Sequence, residues 1–168
     1  MKHFLLGVAA TLVVLVVGAL AYLLLGLAEV RGDQPVTGLE RTVMRAAVHA
    51  SVRRHAPKVT NPVPPTEANL IAGGREYLNQ CAGCHGTPGK EGGPTALNPA
   101  APHLPTEGTE YTEAQIFWVA KHGVRRTGMF SNGVWDADSV LWPIATFIKH
   151  IKDLPPAVRE SLAVRPKH

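Results

Sequence analysis

Cys81-Ala82-Gly83-Cys84-His85 sets two thiols three positions apart and follows the second at once with an imidazole. On one helical turn, two sulfurs so spaced reach two vinyl groups of a porphyrin and form thioethers. The histidine beside them then addresses the iron, so the run reads as a c-type haem attachment site. Gly83 and Gly86 suit it, because small residues let the backbone come close to a flat macrocycle. Three plainer readings compete. A thioredoxin-like redox pair needs a strand–helix–strand setting, which the flanks do not supply. A zinc site needs further ligands, but these are the only two cysteines in the chain. A structural disulfide is possible from spacing alone. None of the three requires His85.

From this motif the chain resembles the class I c-type cytochromes, small electron carriers with one haem. The resemblance covers roughly residues 70–154 and rests on several stretches besides the first. Gly73 lies eight residues before Cys81 and Tyr77 four before it. In the family a glycine and an aromatic at these offsets form the face that crosses the C-terminal helix, where Ile144 and Phe147 match the residues they meet. Thr127-Gly128-Met129 is similar to the family's loop for the sixth iron ligand, with Phe130 where a proline often stands. The resemblance therefore implies one covalently bound haem c on Cys81 and Cys84, with His85 and Met129 as the metal ligands. A thioether ligand favours ferrous iron and raises the reduction potential. His103 and His122 are the rival sixth ligands. Gly93-Pro94-x-x-Leu97 resembles the family stretch whose proline carbonyl accepts a hydrogen bond from the proximal histidine. Pro94 is thus the expected acceptor for His85 Nδ1–H, with Pro102 as its rival.

Working outward, residues 4–28 are an apolar run of 25 residues without a charge. About 20 suffice to span a bilayer core. An uncleaved signal anchor is the expectation, with cleavage after the small residues around Ala21 as the alternative. Flanking charge hardly orients the run: Lys2 favours an inside N-terminus and Arg31 opposes it. Because the family's haem is attached outside the bacterial cytoplasm, the resemblance implies a single-pass protein of the inner membrane with its haem domain in the periplasm.

A helix is expected over 38–55, capped by Thr37 with Glu40. Its apolar stripe would be Leu39, Val43, Ala46, Ala47 and Ala50, and Arg41, Arg45, His49 and Arg53 form a row at intervals of four. It either lies on anionic headgroups or packs on the haem domain with its basic face in water. Four prolines in 57–65 suggest a semi-rigid spacer. Helices are expected from 67 to 80, from a Thr112/Gln115 capping box to about 122, and from Asp136 or Asp138 as cap to about 153. Pro143 should kink or delay the last of these. A short helix over 157–163 and a polar tail end the chain. Residues 87–109 hold five prolines and four glycines, and so long a loop is expected to wrap something.

The expected organisation is a transmembrane anchor (1–29), a helix and spacer (30–65), an all-α class I cytochrome c domain (66–156) and a tail (157–168). Net charge is +4 over 168 residues, with no dense basic tract, so nucleic acid is not an expected partner. No Ser/His/Asp set or carboxylate pair points to a substrate pocket, and the chain is not expected to be an enzyme by itself. The expected function is one-electron transfer to and from membrane-bound redox partner proteins. The alternatives are a fixed cytochrome subunit of a larger membrane oxidoreductase and a gas-binding haem sensor with an open sixth position. Lys121, Arg125 and Arg126 beside the Met129 loop are expected to form a basic docking surface for an acidic partner.

Overall fold

The computed structural model describes residues 1–90 and 97–164, and these are all helix and loop. The chain divides into two compact units, residues 1–32 and 33–168.

The first unit holds α1, Lys2–Leu24, a 23-residue apolar helix with none of its residues buried, long enough to cross a membrane. It stops four residues before the apolar run does. Gly26 adopts φ +70°, Leu27 N–H reaches Tyr22 O at 3.1 Å and Gly26 N–H reaches Leu23 O at 3.2 Å. This pair of bonds is a Schellman ending, which satisfies the last carbonyls and turns the chain away whatever the hydropathy beyond.

The second unit contains α2 (Gly38–His55), α3 (Glu67–Gln80), α4 (Ala82–His85), α5 (Leu104–Glu107), α6 (Glu113–His122), α7 (Asp138–His150) and α8 (Pro156–Ala163). Its centre is the crossing of α3 on α7, with α6 also against α7 and α8 against α3. The crossing is close because Gly73 allows it: a Cβ placed there would lie 2.0 Å from Pro143 O. Tyr77 is fully buried and its ring lies 5.3 Å from that of Phe147. Leu70, Leu141, Ile144 and Ile148 complete the seam. Thr112 accepts from Gln115 N–H and Gln115 returns the bond, so α6 starts with a full capping box. The last long helix differs from expectation. Neither Asp136 nor Asp138 caps α7; its N-cap is Ala137, and Asp138 is held instead by Lys121 Nζ at 2.6 Å.

Of the two readings of α2, packing of its alanine-rich stripe on the haem domain does not hold. Leu39, Val43, Ala46, Ala47 and Ala50 are all exposed. The helix packs towards α6 by its other side, where Val52 is buried, His55 stacks on Trp118 at 6.1 Å and His49 meets Tyr111 at 5.2 Å. Nor do residues 57–65 stand off as a spacer. Thr146, fully buried on α7, accepts from Asn61 Nδ2 at 2.6 Å and turns its own hydroxyl to Val63 O or Trp142 O. Helix α8 is part of the core, with Val158 fully buried and Leu162 against Gly74.

Thr146→Val keeps the shape and removes the hydroxyl that Asn61 needs. Asn61 is half-buried, so leaving its donor without this partner should cost about 1 kcal/mol, the low end of the range for an unsatisfied buried group. The denaturant midpoint should fall accordingly, and residues 57–65 should become a site of early proteolysis. A midpoint equal to that of the wild type would mean that this segment is not docked on α7.

Candidate haem site

The attachment motif is shaped by the end of α3. Cys81 closes α3 and opens the single turn of α4, and its carbonyl accepts from both Cys84 N–H (3.1 Å) and His85 N–H (2.9 Å). Both thiols are free and half-buried. Tyr77 reaches across from α3: its O–H donates to Gly86 O at 2.7 Å, with His85 O at 3.3 Å. Burial, with the Cys81 charge adding, pushes the Tyr77 phenol well above its usual range, so the donor stays protonated at ordinary pH. Burial also pushes the Cys81 thiol up to about 12, helped by Asp136, Cys84 and Glu76.

The wrapping loop supplies the partner for His85. Its Nδ1 lies 3.0 Å from Pro102 O, so Pro102, the rival in the sequence reading, provides the carbonyl seen here. Pro94 lies outside the described residues. A proton on Nδ1 leaves the lone pair on Nε2, the tautomer that a metal-binding histidine needs. The same loop seats His103 over Gly86, where a Cβ would be 2.1 Å from its Nε2. His103 Nδ1 meets Thr106 Oγ1 at 2.7 Å. That puts His103 beside the backbone of His85 and next to the carbonyl that orients it. The His122 ring lies tilted against Trp118 at 5.0 Å, and His55 of α2 stacks on the same Trp118.

Met129 rides on a pinned loop. Gly123 ends α6 at φ +67°, and a Cβ there would strike Met129 O at 2.6 Å. Val124 N–H donates to Met129 O at 2.9 Å. Thr127 Oγ1 donates to Val124 O at 2.7 Å and accepts from Met129 N–H at 3.0 Å. Asn132 Nδ2, buried, holds Ala120 O at 3.0 Å. Arg126 takes φ +62° to close the turn. The threonine of Thr127-Gly128-Met129 is thus a backbone clamp for the methionine, and the glycine gives room for Leu97, whose Cδ2 would be 2.8 Å from a Cβ at 128.

Three separate stretches therefore meet: 81–86, 97–103 and 127–136. Pro102 joins the second to the first, Leu97 joins the second to the third, and the Asp136 charge is felt at Cys81. Phe130, Val134 and Trp135 are 53%, 71% and 72% exposed just after Met129, although the helical seam is already packed. Exposed apolar surface of that kind marks a binding site. Two reduced thiols on one turn, an imidazole with its outer nitrogen fixed, a thioether and an apolar rim fit a haem. Trp142 stacks flat on Phe117 at 4.0 Å, which continues the apolar wall into α6. Of the three basic residues expected to form a docking surface, Lys121 is withdrawn. Its ammonium is paired with Asp138 and lies 5.4 Å over the Phe117 ring. Arg125 and Arg126 remain exposed.

Residues 68–148 match the family described as cytochrome c oxidase, cbb3-type, subunit III. No curated protein and no solved structure matches the chain. The matched segment runs from the start of α3 to near the end of α7 and contains the crossing, the Cys-x-x-Cys-His turn and the Met129 loop. The match supports, over these residues, a class I c-type cytochrome domain, all-α and of the kind that carries haem c in covalent linkage and transfers electrons.

Proposed function

We propose that this protein is a membrane-anchored, one-electron carrier with a single haem c, bound through thioethers at Cys81 and Cys84 and ligated by His85 Nε2 and Met129. The observation that carries the reading is His85 Nδ1 on Pro102 O at 3.0 Å, beside two free thiols on the same turn. Each attachment adds an S–H across a vinyl group, forming a C–S and a C–H bond with no leaving group. Haem supplies the ferric/ferrous couple, and the chain's own residues set its exposure and potential. Pro102 fixes the His85 ring, Tyr77 holds the backbone behind it, and Thr127 holds the loop of Met129. With both axial positions filled, the protein works as a carrier and not as an enzyme.

Haem should stay with the polypeptide through acid–acetone extraction and on a denaturing gel. Replacing both Cys81 and Cys84 with Ala should release it completely. Complete extraction from the unaltered protein would end the assignment.

The apolar helix α1 supports a single-pass anchor, and in this reading it lies in the inner membrane with the haem domain in the periplasm, where redox partner proteins meet it. Alkaline carbonate should leave the protein in the membrane pellet, and a mature N-terminus near Tyr22 would contradict the anchor. A second reading is favoured by the family description, which names a subunit of an oxidase: in that reading the chain is the fixed cytochrome subunit of a larger complex. Stable copurification with other chains from detergent extracts selects that reading over a free shuttle.

A further inference from the structure

Helix α2 has two apolar faces, and among the described residues of the second unit only one of them is packed. Val52, 1% exposed, is buried on the side that packs towards α6, while Leu39, Val43 and Met44 are 77%, 55% and 40% exposed. At about 100° per residue, Leu39, Val43, Ala46, Ala47 and Ala50 share one continuous outer stripe. Arg54 lies within this stripe at its C-terminal end and Arg53 on its edge. Both are exposed. Arg41 and Arg45 fall on the other side of the helix with Val52, so Arg53 and Arg54 are the basic residues of this face, and Glu40 stands at its opposite edge.

The composition of this face says what covers it. The core of a protein–protein interface is enriched in aromatic residues, which this stripe lacks, whereas arginines beside an apolar stripe fit a headgroup layer, with their stems among the acyl chains and their guanidinium groups on anionic lipid. The stripe has no aromatic anchor and would hold a free peptide weakly. Here the helix is not free. Residues 25–37 join it to the apolar helix α1, and at no more than about 3.5 Å per residue they reach roughly 45 Å. Contact with the bilayer is then intramolecular, and a weak stripe suffices at such an effective concentration.

We propose that α2 lies in the headgroup layer of an anionic membrane with Leu39, Val43, Ala46, Ala47 and Ala50 against the acyl chains, so that the haem domain is seated on the bilayer through α2 and does not swing freely on its tether. This rests on the reading of α1 as an anchor. The test uses the full-length haem-loaded protein in nanodiscs containing one class of anionic lipid, phosphatidylglycerol, mixed with phosphatidylcholine. With the two native cysteines in thioethers, a nitroxide can be placed singly at Val43→Cys, at Ala47→Cys, and at Glu160→Cys, an exposed position on α8. Power saturation then compares collisions with oxygen, which enters lipid, and with a water-soluble nickel chelate. Labels at 43 and 47 should favour oxygen several-fold over the label at 160, and Arg54→Glu should move them towards the aqueous pattern. Labels at 43 and 47 as open to nickel as the one at 160, on protein that stays with the discs, would overturn the seating and leave the anchor intact. Shielding from both reagents would overturn it in favour of a second copy of the chain. Protein that leaves the discs under carbonate would remove the anchor and the seating together.

Discussion

Gly73→Ala should destabilise the haem domain by at least about 2 kcal/mol and lower its melting temperature by roughly 10 °C, given overpacking costs of about 1–3 kcal/mol or more and the usual shift per kcal/mol in a small domain. The added Cβ would stand 2.0 Å from Pro143 O, 2.5 Å from its carbonyl carbon and 3.1 Å from Ile144 N. All three are backbone atoms of α7, so no side chain can rotate out of the way and the two helices must separate. Separation loosens the contacts of Leu70, Tyr77, Ile144 and Phe147, which are each at most 3% exposed. Helix propensity opposes the loss, since Ala is better than Gly by up to about 1 kcal/mol in a helix interior, but this is the smaller term. Gly38→Ala at the start of α2 is the control, because a Cβ there meets nothing within 4 Å. Denaturant titration of both variants decides the matter. Equal stability of Gly73→Ala and the wild type would mean that the helices do not cross at this point.

The contrast between Gly73 and α2 explains what could be read before the fold was known. Gly73, Tyr77, Cys81, Cys84 and His85 fall within one short stretch, and their offsets alone carry the meaning. Caps at Thr37 and Thr112 depend only on bonds three residues away, so those two helix starts were legible too. The face by which α2 docks was not. A stripe made mostly of alanine satisfies the periodicity, yet the contacts made within the unit use Val52 and the rings of His49 and His55, which polarity scales place on the wet side. The fate of the proline segment turns on a bond between Asn61 and Thr146, 85 residues apart, which no local pattern announces.

The site divides in the same way. Thr127-Gly128-Met129 could be picked out as a motif, but the clamp that Thr127 makes on Val124 O and Met129 N–H appears only in three dimensions. Lys121 looked like a steering charge by its place in the chain. Its pairing with Asp138, seventeen residues on, requires the return of the chain from the Met129 loop into α7. The carbonyl opposite His85 comes from Pro102, and two prolines in one loop could not be ranked by spacing.

Met129→Ala should open the iron to carbon monoxide in the reduced protein and lower the reduction potential on the order of 100 mV, a part of the roughly 0.8 V that axial ligands command. The loop argues that the change would be confined to the ligand. Val124 N–H, Thr127 Oγ1 and Gly123 act on the backbone at 129–130, so removing the side chain leaves the turn in place and no other group is pulled in. The rival histidines are held elsewhere: His103 against Gly86 and Thr106, and His122 against Trp118. The reduced variant should therefore bind carbon monoxide rapidly, and the wild type should bind it slowly or not at all. Thr127→Val is the intermediate case. It keeps the thioether but loses the clamp, so its potential should stay near that of the wild type while the loop exchanges its amide hydrogens faster. Rapid carbon monoxide binding by the wild type itself would support the gas-binding alternative. A Met129→Ala protein with unchanged spectrum and potential would hand the sixth position to a histidine and require the loop around His103 to move.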